Sequence, residues 1–254
     1  MPREEKLSEY FSYRTTVVRF LTIVGLWPKQ QTELWYKLLP VLQLIANISS
    51  VLATAMFVRK HVNNLDRVIK GMSSMMSYLS NVLKTTCVII NREDAAKLHQ
   101  MLDAQFFMLL NRPEVSKIIL SDVTTFRRLS VMMSFLTYLS CTIYASRPVV
   151  IIIYQHVKQI YPITYGLIFP GVYPWKISPN GALYKFHYGL ETVSTILAFS
   201  VCAGIDLLFT LYIFQMIAQL REMSHCMSNI DTTKNGHKAV ENCVIKYEQL
   251  MKMS

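Results

Sequence analysis

The stretch that decides the fold is LLPVLQLIANISSVLATAMFV, residues 38–58, which runs for 21 residues without a charge. Lys37 precedes it and Arg59 follows it. An α-helix rises about 1.5 Å per residue, so this stretch would extend roughly 30 Å, the thickness of the hydrocarbon core of a bilayer. A soluble helix of this length normally keeps one polar face. The stretch therefore predicts a membrane-spanning helix.

Three further apolar runs predict an all-α membrane protein with four transmembrane helices. They cover residues 68–90, 129–153 and 192–220. The second is weaker, because it holds Lys70, Lys84 and several serines. Small and hydroxyl side chains suit contact between helices better than contact with lipid. In the third run Arg147 and Pro148 interrupt the apolar sequence near one end, where we expect a kink.

Composition agrees with a membrane protein and indicates no enzyme. Of the 254 residues, 17% are charged, against about 25% in an average soluble protein. The net charge is +10, but the basic residues gather between the apolar runs without a stripe of stacking aromatics, so nucleic acid is not an expected partner. Neither the cysteines nor the histidines have metal-ligand spacing, and no catalytic motif such as GxSxG or HExxH occurs. We expect no cofactor.

The distribution of lysine and arginine predicts an inverted topology, with the N-terminus in the cytoplasm. The segments 1–37 and 91–128 hold six basic residues each, and the tail after residue 220 holds five. The two alternate loops hold three each. Cytoplasmic loops carry the excess of positive charge, so seventeen against six places both termini inside. Residues 221–254 are then a cytoplasmic segment.

Two further regions carry structural expectations. Residues 14–27 combine apolar residues with charges and end at Trp27, which predicts an amphipathic helix on the inner membrane surface with Trp27 as its interface anchor. Residues 154–191 form a long outer loop rich in aromatic residues and turn signals such as Tyr173-Pro174. This loop is expected to fold as an ordered lid over the outer end of the helices.

Four sequence motifs, in the right order over nearly the whole chain, resemble those of the insect odorant receptor family. They are Gly25-Leu26-Trp27-Pro28 before the first span, the turns at Tyr173-Pro174 and Ser178-Pro179 followed by Tyr184 and Tyr188, Gly204-Ile205-Asp206-Leu207-Leu208-Phe209 in the fourth span, and Asn242-Cys243-Val244-Ile245-Lys246-Tyr247-Glu248-Gln249-Leu250 in the tail. The sequence departs from the family pattern at Tyr247, where histidine is common, and at Glu191, where glutamine is common.

The resemblance implies the first part of a seven-helix receptor with an inverted topology, lacking the helix that lines the pore. By the same resemblance, the protein is a tuning subunit that binds a small volatile odorant. Such subunits assemble with a co-receptor subunit into a hetero-tetrameric, ligand-gated cation channel. The expected location is the plasma membrane of the olfactory sensory neuron dendrite, as a multi-pass protein in the lipid bilayer.

A methionine-rich stripe on the second span is the candidate odorant site. Met72, Met75, Met76 and Leu79 follow helical spacing, with Tyr78 beside them. Such soft apolar side chains adapt to varied small molecules. The resemblance implies an odorant pocket between these helices in the outer half, which residues from the third and fourth spans could also line: Tyr138, Cys141, Tyr144, Ala145, Thr195 and Phe199. The competing interpretation of these residues is ordinary packing or lipid contact.

Asp206 is the second candidate, because a lone carboxylate near the centre of a span is costly unless it is paired. Lys84 lies at a similar depth in the second span and is its candidate partner. The functional interpretation is a gating or coupling residue. The alternative is a structural acid that is hydrogen-bonded to a neighbouring helix.

Two other readings of the whole chain stay open. One is a gustatory receptor of the same superfamily. The other is a four-helix membrane scaffold of the tetraspanin or claudin type, which would require paired cysteines in the outer loops. The segments 59–67 and 154–188 contain no cysteine.

Overall fold

A computed structural model describes residues 3–27, 33–175 and 177–228, and all regular secondary structure in these residues is α-helical. The helices are α1 (Arg3–Ile23), α2 (Leu34–Lys60), α3 (Leu65–Ile90), α4 (Arg92–Leu110), α5 (Pro113–Ile119), α6 (Val123–Val157) and α7 (Ala182–Ser228). The longest helix, α7, packs against each of the other six. Pro28 and the tail motif at residues 242–250 lie outside the described residues.

Within residues 3–27, 33–175 and 177–228, three helical stretches are long and apolar enough to cross a membrane: Leu34–Lys60, Pro113–Val157 and Ala182–Ser228. The predicted spans 38–58, 129–153 and 192–220 fall within them. The predicted span 68–90 falls on α3, which is 26 residues long but less apolar because of its lysines and serines. The described part of the chain is therefore all-helical with three candidate membrane spans. Helix α6 continues through Pro148.

Large apolar side chains on α2 and α6 point outward. Leu42, Leu52, Phe135 and Ile143 are each between 57% and 64% exposed. A soluble monomer rarely leaves contiguous apolar surface of this kind in water, whereas lipid tails solvate it without cost. The outer surface of these helices thus suits a bilayer.

The main buried core lies where α1 packs against α6 and α7, which we call the α1 end. Tyr10, Tyr13, Val17 and Leu21 of α1 are at most 2% exposed. This differs from the predicted interfacial helix over residues 14–27 in two ways. The helix begins at Arg3 and ends at Ile23, and its apolar face is covered by other helices instead of facing a membrane surface.

Gly25 and Trp27 show what the first sequence motif does. Gly25 has a φ of +75°, and a Cβ at this position would lie 2.6 Å from the carbonyl oxygen of Tyr36. Only glycine therefore allows the chain to reverse so tightly at the end of α1. Trp27 is 6% exposed and meets His99 edge-on, with ring centroids 4.6 Å apart. The prediction of an interface anchor at Trp27 is corrected, because its ring is buried in protein.

At the opposite end, which we call the loop end, residues 158–181 connect α6 to α7. This loop is shorter than the predicted 154–191 because both helices extend into it. It is tied to α6 through the Gln155 side chain, whose Oε1 accepts from the Thr164 backbone nitrogen at 2.7 Å. It is tied to α2 by a bond of 3.0 Å from the backbone nitrogen of Val172 to the carbonyl oxygen of Ala53. The predicted segments 91–128 and 221–254 are likewise partly helical, as α4, α5 and the end of α7.

Candidate ligand-binding site

A cavity of about 470 Å³ lies among α3, α6, α7 and the loop, and we call it the inner cavity. Four aromatic rings line it, from Tyr78 on α3, Tyr144 on α6, Phe169 in the loop and Phe199 on α7. The other lining residues are Ser74, Met76, Ser77, Ser80, Asn81, Thr195, Ala198 and Cys202. A mostly apolar wall with a few polar groups, and a volume of this size, are typical of small-molecule sites.

The four rings contact one another. Phe169 meets Tyr78 edge-on with centroids 4.8 Å apart and stacks on Tyr144 at 5.9 Å. Tyr144 lies 6.4 Å from Phe199. Tyr78 is 4% exposed, whereas Tyr144 is 41% exposed. The rings therefore bring together three helices and the loop, and they offer faces and edges on which an apolar molecule can pack.

The face of α3 that lines the inner cavity is mainly its polar face. Ser74, Ser77, Tyr78 and Asn81 line the cavity at the spacing i, i+3, i+4 and i+7, which is one side of a helix. The methionine-rich stripe mostly turns away from the cavity. This arrangement is the one expected in lipid, where apolar side chains can face outward and polar groups seek the protein interior.

The structure brings five of the residues predicted from the sequence to the inner cavity. These are Met76, Tyr78, Tyr144, Thr195 and Phe199. The other predicted residues do not line it: Met72, Met75, Leu79, Tyr138, Cys141 and Ala145. Met72 and Leu79 are 46% and 38% exposed on α3, and Cys141 is buried in α6 at 4% exposure. The hydroxyl of Tyr138 lies 3.3 Å from that of Ser200.

Phe169 and Asn81 are the most important lining residues that the sequence analysis missed. Phe169 comes from the loop, and no local pattern shows which helices a loop residue will meet. The position of Asn81 in the wall could have been predicted from the helical spacing, because Asn81 shares a helical face with the serines of α3.

A second cavity of about 680 Å³, which we call the loop cavity, lies beside the inner cavity toward the loop end. Ser74, Tyr144 and Phe169 line both cavities and so form their common wall. Residues 164–171 of the loop cover the loop cavity, and three basic side chains line it, from Arg67, Lys70 and Arg147. It therefore forms a more polar chamber next to the aromatic inner cavity.

The buried carboxylate of Glu191 on α7 holds the loop in place over both cavities. Its Oε2 accepts a hydrogen bond from the backbone nitrogen of Ile168 at 3.0 Å, and its Oε1 accepts from the Tyr173 hydroxyl at 2.7 Å. The side chain of Glu191 is 9% exposed. Because Ile168 immediately precedes Phe169, these bonds fix the position of the aromatic ring that separates the two cavities.

The structure places Lys84 next to Asp206, at a distance of 2.7 Å from Nζ to Oδ1. The two side chains are 31% and 47% exposed. The Lys84 ammonium also donates to Sγ of Cys202 at 3.4 Å, and Cys202 lines the inner cavity. The ion pair between α3 and α7 is therefore connected to the cavity wall through one side chain.

A second polar cluster joins three helices at the α1 end. Asp103 on α4 accepts hydrogen bonds from Arg14 on α1 and from Gln215 on α7, the latter at 2.7 Å. His99 lies 3.2 Å from the same carboxylate. Burial by itself would raise the pKa of Asp103, but the hydrogen bonds and charges of His99 and Arg14 outweigh it and lower the pKa to about 2.

Comparison with known proteins gives a consistent result for sequence and fold. A family model described as 7tm Odorant receptor matches residues 64–254. Two solved structures of the insect olfactory receptor OR5 from Machilis hrabei, one in complex with eugenol, each match with a TM-score of 0.68 and 12% sequence identity. Each match covers 96% of this chain and 64% of the matched chain. No curated protein gives a significant sequence match.

Proposed function

We propose, since this chain belongs to the 7tm odorant receptor family, that it is an odorant receptor subunit that binds small apolar volatile molecules in the inner cavity. One observation carries the proposal. In a family member, three helices and a loop line a cavity of about 470 Å³ with four aromatic side chains in its wall. Eugenol, which is bound to the similar receptor, is also a small molecule.

We further propose that α2, α3, α6 and α7 all cross the membrane and that the N-terminus is cytoplasmic. The excess of lysine and arginine in the N-terminal segment, the 91–128 segment and the tail supports this orientation. The inner cavity and the loop then lie toward the outer side of the membrane. A volatile would reach the inner cavity from the loop cavity past Phe169, which lines both.

The chain spans about 64% of the length of the solved receptors that it matches. We propose that the complete subunit joins a co-receptor subunit in a hetero-tetrameric cation channel, located in the plasma membrane of olfactory sensory neuron dendrites. Within this proposal Lys84 and Asp206 couple the cavity to the helices, because Cys202 contacts the lysine and lines the cavity. The alternative is that Asp206 is a structural acid, which only stabilises the packing of α7 against α3. The family match favours an odorant receptor over a gustatory receptor or a membrane scaffold.

Binding to the chain in lipid nanodiscs tests the proposal. A panel of aromatic and aliphatic volatiles is equilibrated with loaded and empty nanodiscs, and the loss of each volatile from the headspace measures binding. We expect saturable binding of several compounds to the loaded discs. Phe199→Ala should weaken it by roughly tenfold, because it removes one wall of the cavity.

Met72→Ala is the matched control. Met72 belongs to the stripe that the sequence favoured, but it is 46% exposed and does not line the inner cavity. Its removal should leave affinity unchanged. Equal losses in both variants, or no saturable binding to the unaltered chain, would count against the inner cavity as the odorant site.

A further inference from the structure

We infer that Asn81 is a polar subsite within the inner cavity and that it selects volatiles carrying a hydroxyl group. This inference rests on the proposed function and adds a ligand class to it. Asn81 lies on α3, is 5% exposed and lines the inner cavity. Its Oδ1 is buried and has no hydrogen-bond partner among the described residues.

Three other polar groups of the wall contrast with Asn81. Ser74 and Ser77 donate their hydroxyl protons to carbonyl oxygens of their own helix, at 3.2 and 3.0 Å. Thr195 does the same on α7, at 2.6 Å. These protons satisfy the backbone and are not available to a ligand. The amide of Asn81 can make up to four hydrogen bonds, and its buried Oδ1 makes none with the described residues.

A buried amide oxygen without a partner is unusual in a folded protein, and a ligand is one way to satisfy the amide. Rotation of the amide by 180° exchanges its oxygen and nitrogen, so either atom can face the cavity. A hydroxyl group both donates and accepts, and it therefore pairs with either orientation. The aromatic rings of Tyr78 and Phe199 would hold the apolar body of the same molecule.

Two ligands of nearly equal shape test this inference: 4-ethylphenol and 4-ethyltoluene, which differ by a hydroxyl in place of a methyl. Dissociation constants are measured on the whole chain in nanodiscs, with empty nanodiscs giving the partition of each compound into lipid. We expect the chain to prefer the phenol by about tenfold beyond that partition, as one hydrogen bond implies. Asn81→Leu should abolish this preference while the toluene still binds.

Thr85→Val is the matched control, because Thr85 is also fully buried on α3 with an unpartnered hydroxyl but does not line the inner cavity. It should keep the preference for the phenol. Binding of both ligands by the unaltered chain without a preference beyond partition would overturn the role of Asn81, whatever the variant does. A preference that survives Asn81→Leu would overturn it as well. Failure of both ligands to bind the unaltered chain would instead count against the proposed function.

Discussion

Neutralising Asp206 should destabilise the protein more than removing both charges of its ion pair. The Lys84 ammonium lies 2.7 Å from the Asp206 carboxylate, and the two side chains are about one-third and one-half exposed on helices that we propose to span the membrane. Exposed pairs in water contribute about 0–1 kcal/mol. A lone lysine near the centre of a spanning helix instead costs about 2.5–3.5 kcal/mol. Asp206→Ala should therefore cost about 2–3 kcal/mol.

The double variant Lys84→Met/Asp206→Leu removes both charges and should recover most of this loss, because an apolar pair leaves no uncompensated charge. The exchange Lys84→Asp/Asp206→Lys should recover part of it. Thermal midpoints in nanodiscs and surface expression, measured for both single variants and the double variant, form a double-mutant cycle. We expect a coupling energy of about 2 kcal/mol.

The pair Lys70–Asp66 on α3 is the matched control. Its atoms are 2.8 Å apart, but its side chains are 57% and 75% exposed. Its coupling energy should stay below about 1 kcal/mol. If the losses of Lys84→Met and Asp206→Leu simply added in the double variant, or if the exchange restored nothing, the two charges would not stabilise one another and the argument from lipid would fail.

Three further predictions concern the loop and the α1 end. Glu191→Ala should raise the rate of amide hydrogen exchange in the loop around residues 166–170, because the hydrogen bonds from the loop to the carboxylate are lost. Glu191→Gln keeps one acceptor oxygen in place of two, so its loop should exchange more slowly than that of Glu191→Ala but faster than that of the unaltered chain. Gly204→Val should lower the thermal midpoint by an amount that corresponds to about 1–3 kcal/mol, because a Cβ would lie 3.0 Å from Leu21. Gly189→Val is its control, because a Cβ at Gly189 would have no neighbour within 4 Å. The depressed pKa of Asp103 contributes stability that is complete above its ordinary value of 3.8 and is lost as the pH falls toward about 2. Asp103→Asn should therefore lose less stability than the unaltered chain when the pH falls through this window. An unchanged acid transition in the variant would contradict this.

Several parts of the structure could be predicted from local sequence. Residues 38–58 specify a long apolar helix, since they contain no charged side chain to support an exposed helix in water. The methionines and serines of α3 specify two helical faces by their spacing. Asp206 predicted a paired carboxylate, because an unpaired charge within a span is costly. Lys84 was the candidate partner, because it lies at a similar depth in the second span.

The site itself was only partly predictable. Tyr78 and Phe199 could be selected from their helices, because aromatic residues near the predicted outer half were few enough to consider. Phe169 could not, because its contact with Tyr78 joins residues far apart in the sequence, and loop residues have no periodicity that indicates their neighbours. The burial of α1 was missed for a similar reason, since the amphipathic pattern that suits a membrane surface suits a protein surface equally well.

By itself the sequence determined the apolar parts of α2, α3, α6 and α7 and the presence of both a polar and an apolar face on α3. Only the tertiary structure decided which of these faces lines the cavity. The physical reason is the solvent: water drives apolar faces inward, but lipid accepts them outward, so hydrophobicity ceases to indicate the interior. The packing of α3 on α7 and the placement of the loop over both settle the choice, and they bring Asn81 into the wall in place of Met72 and Met75.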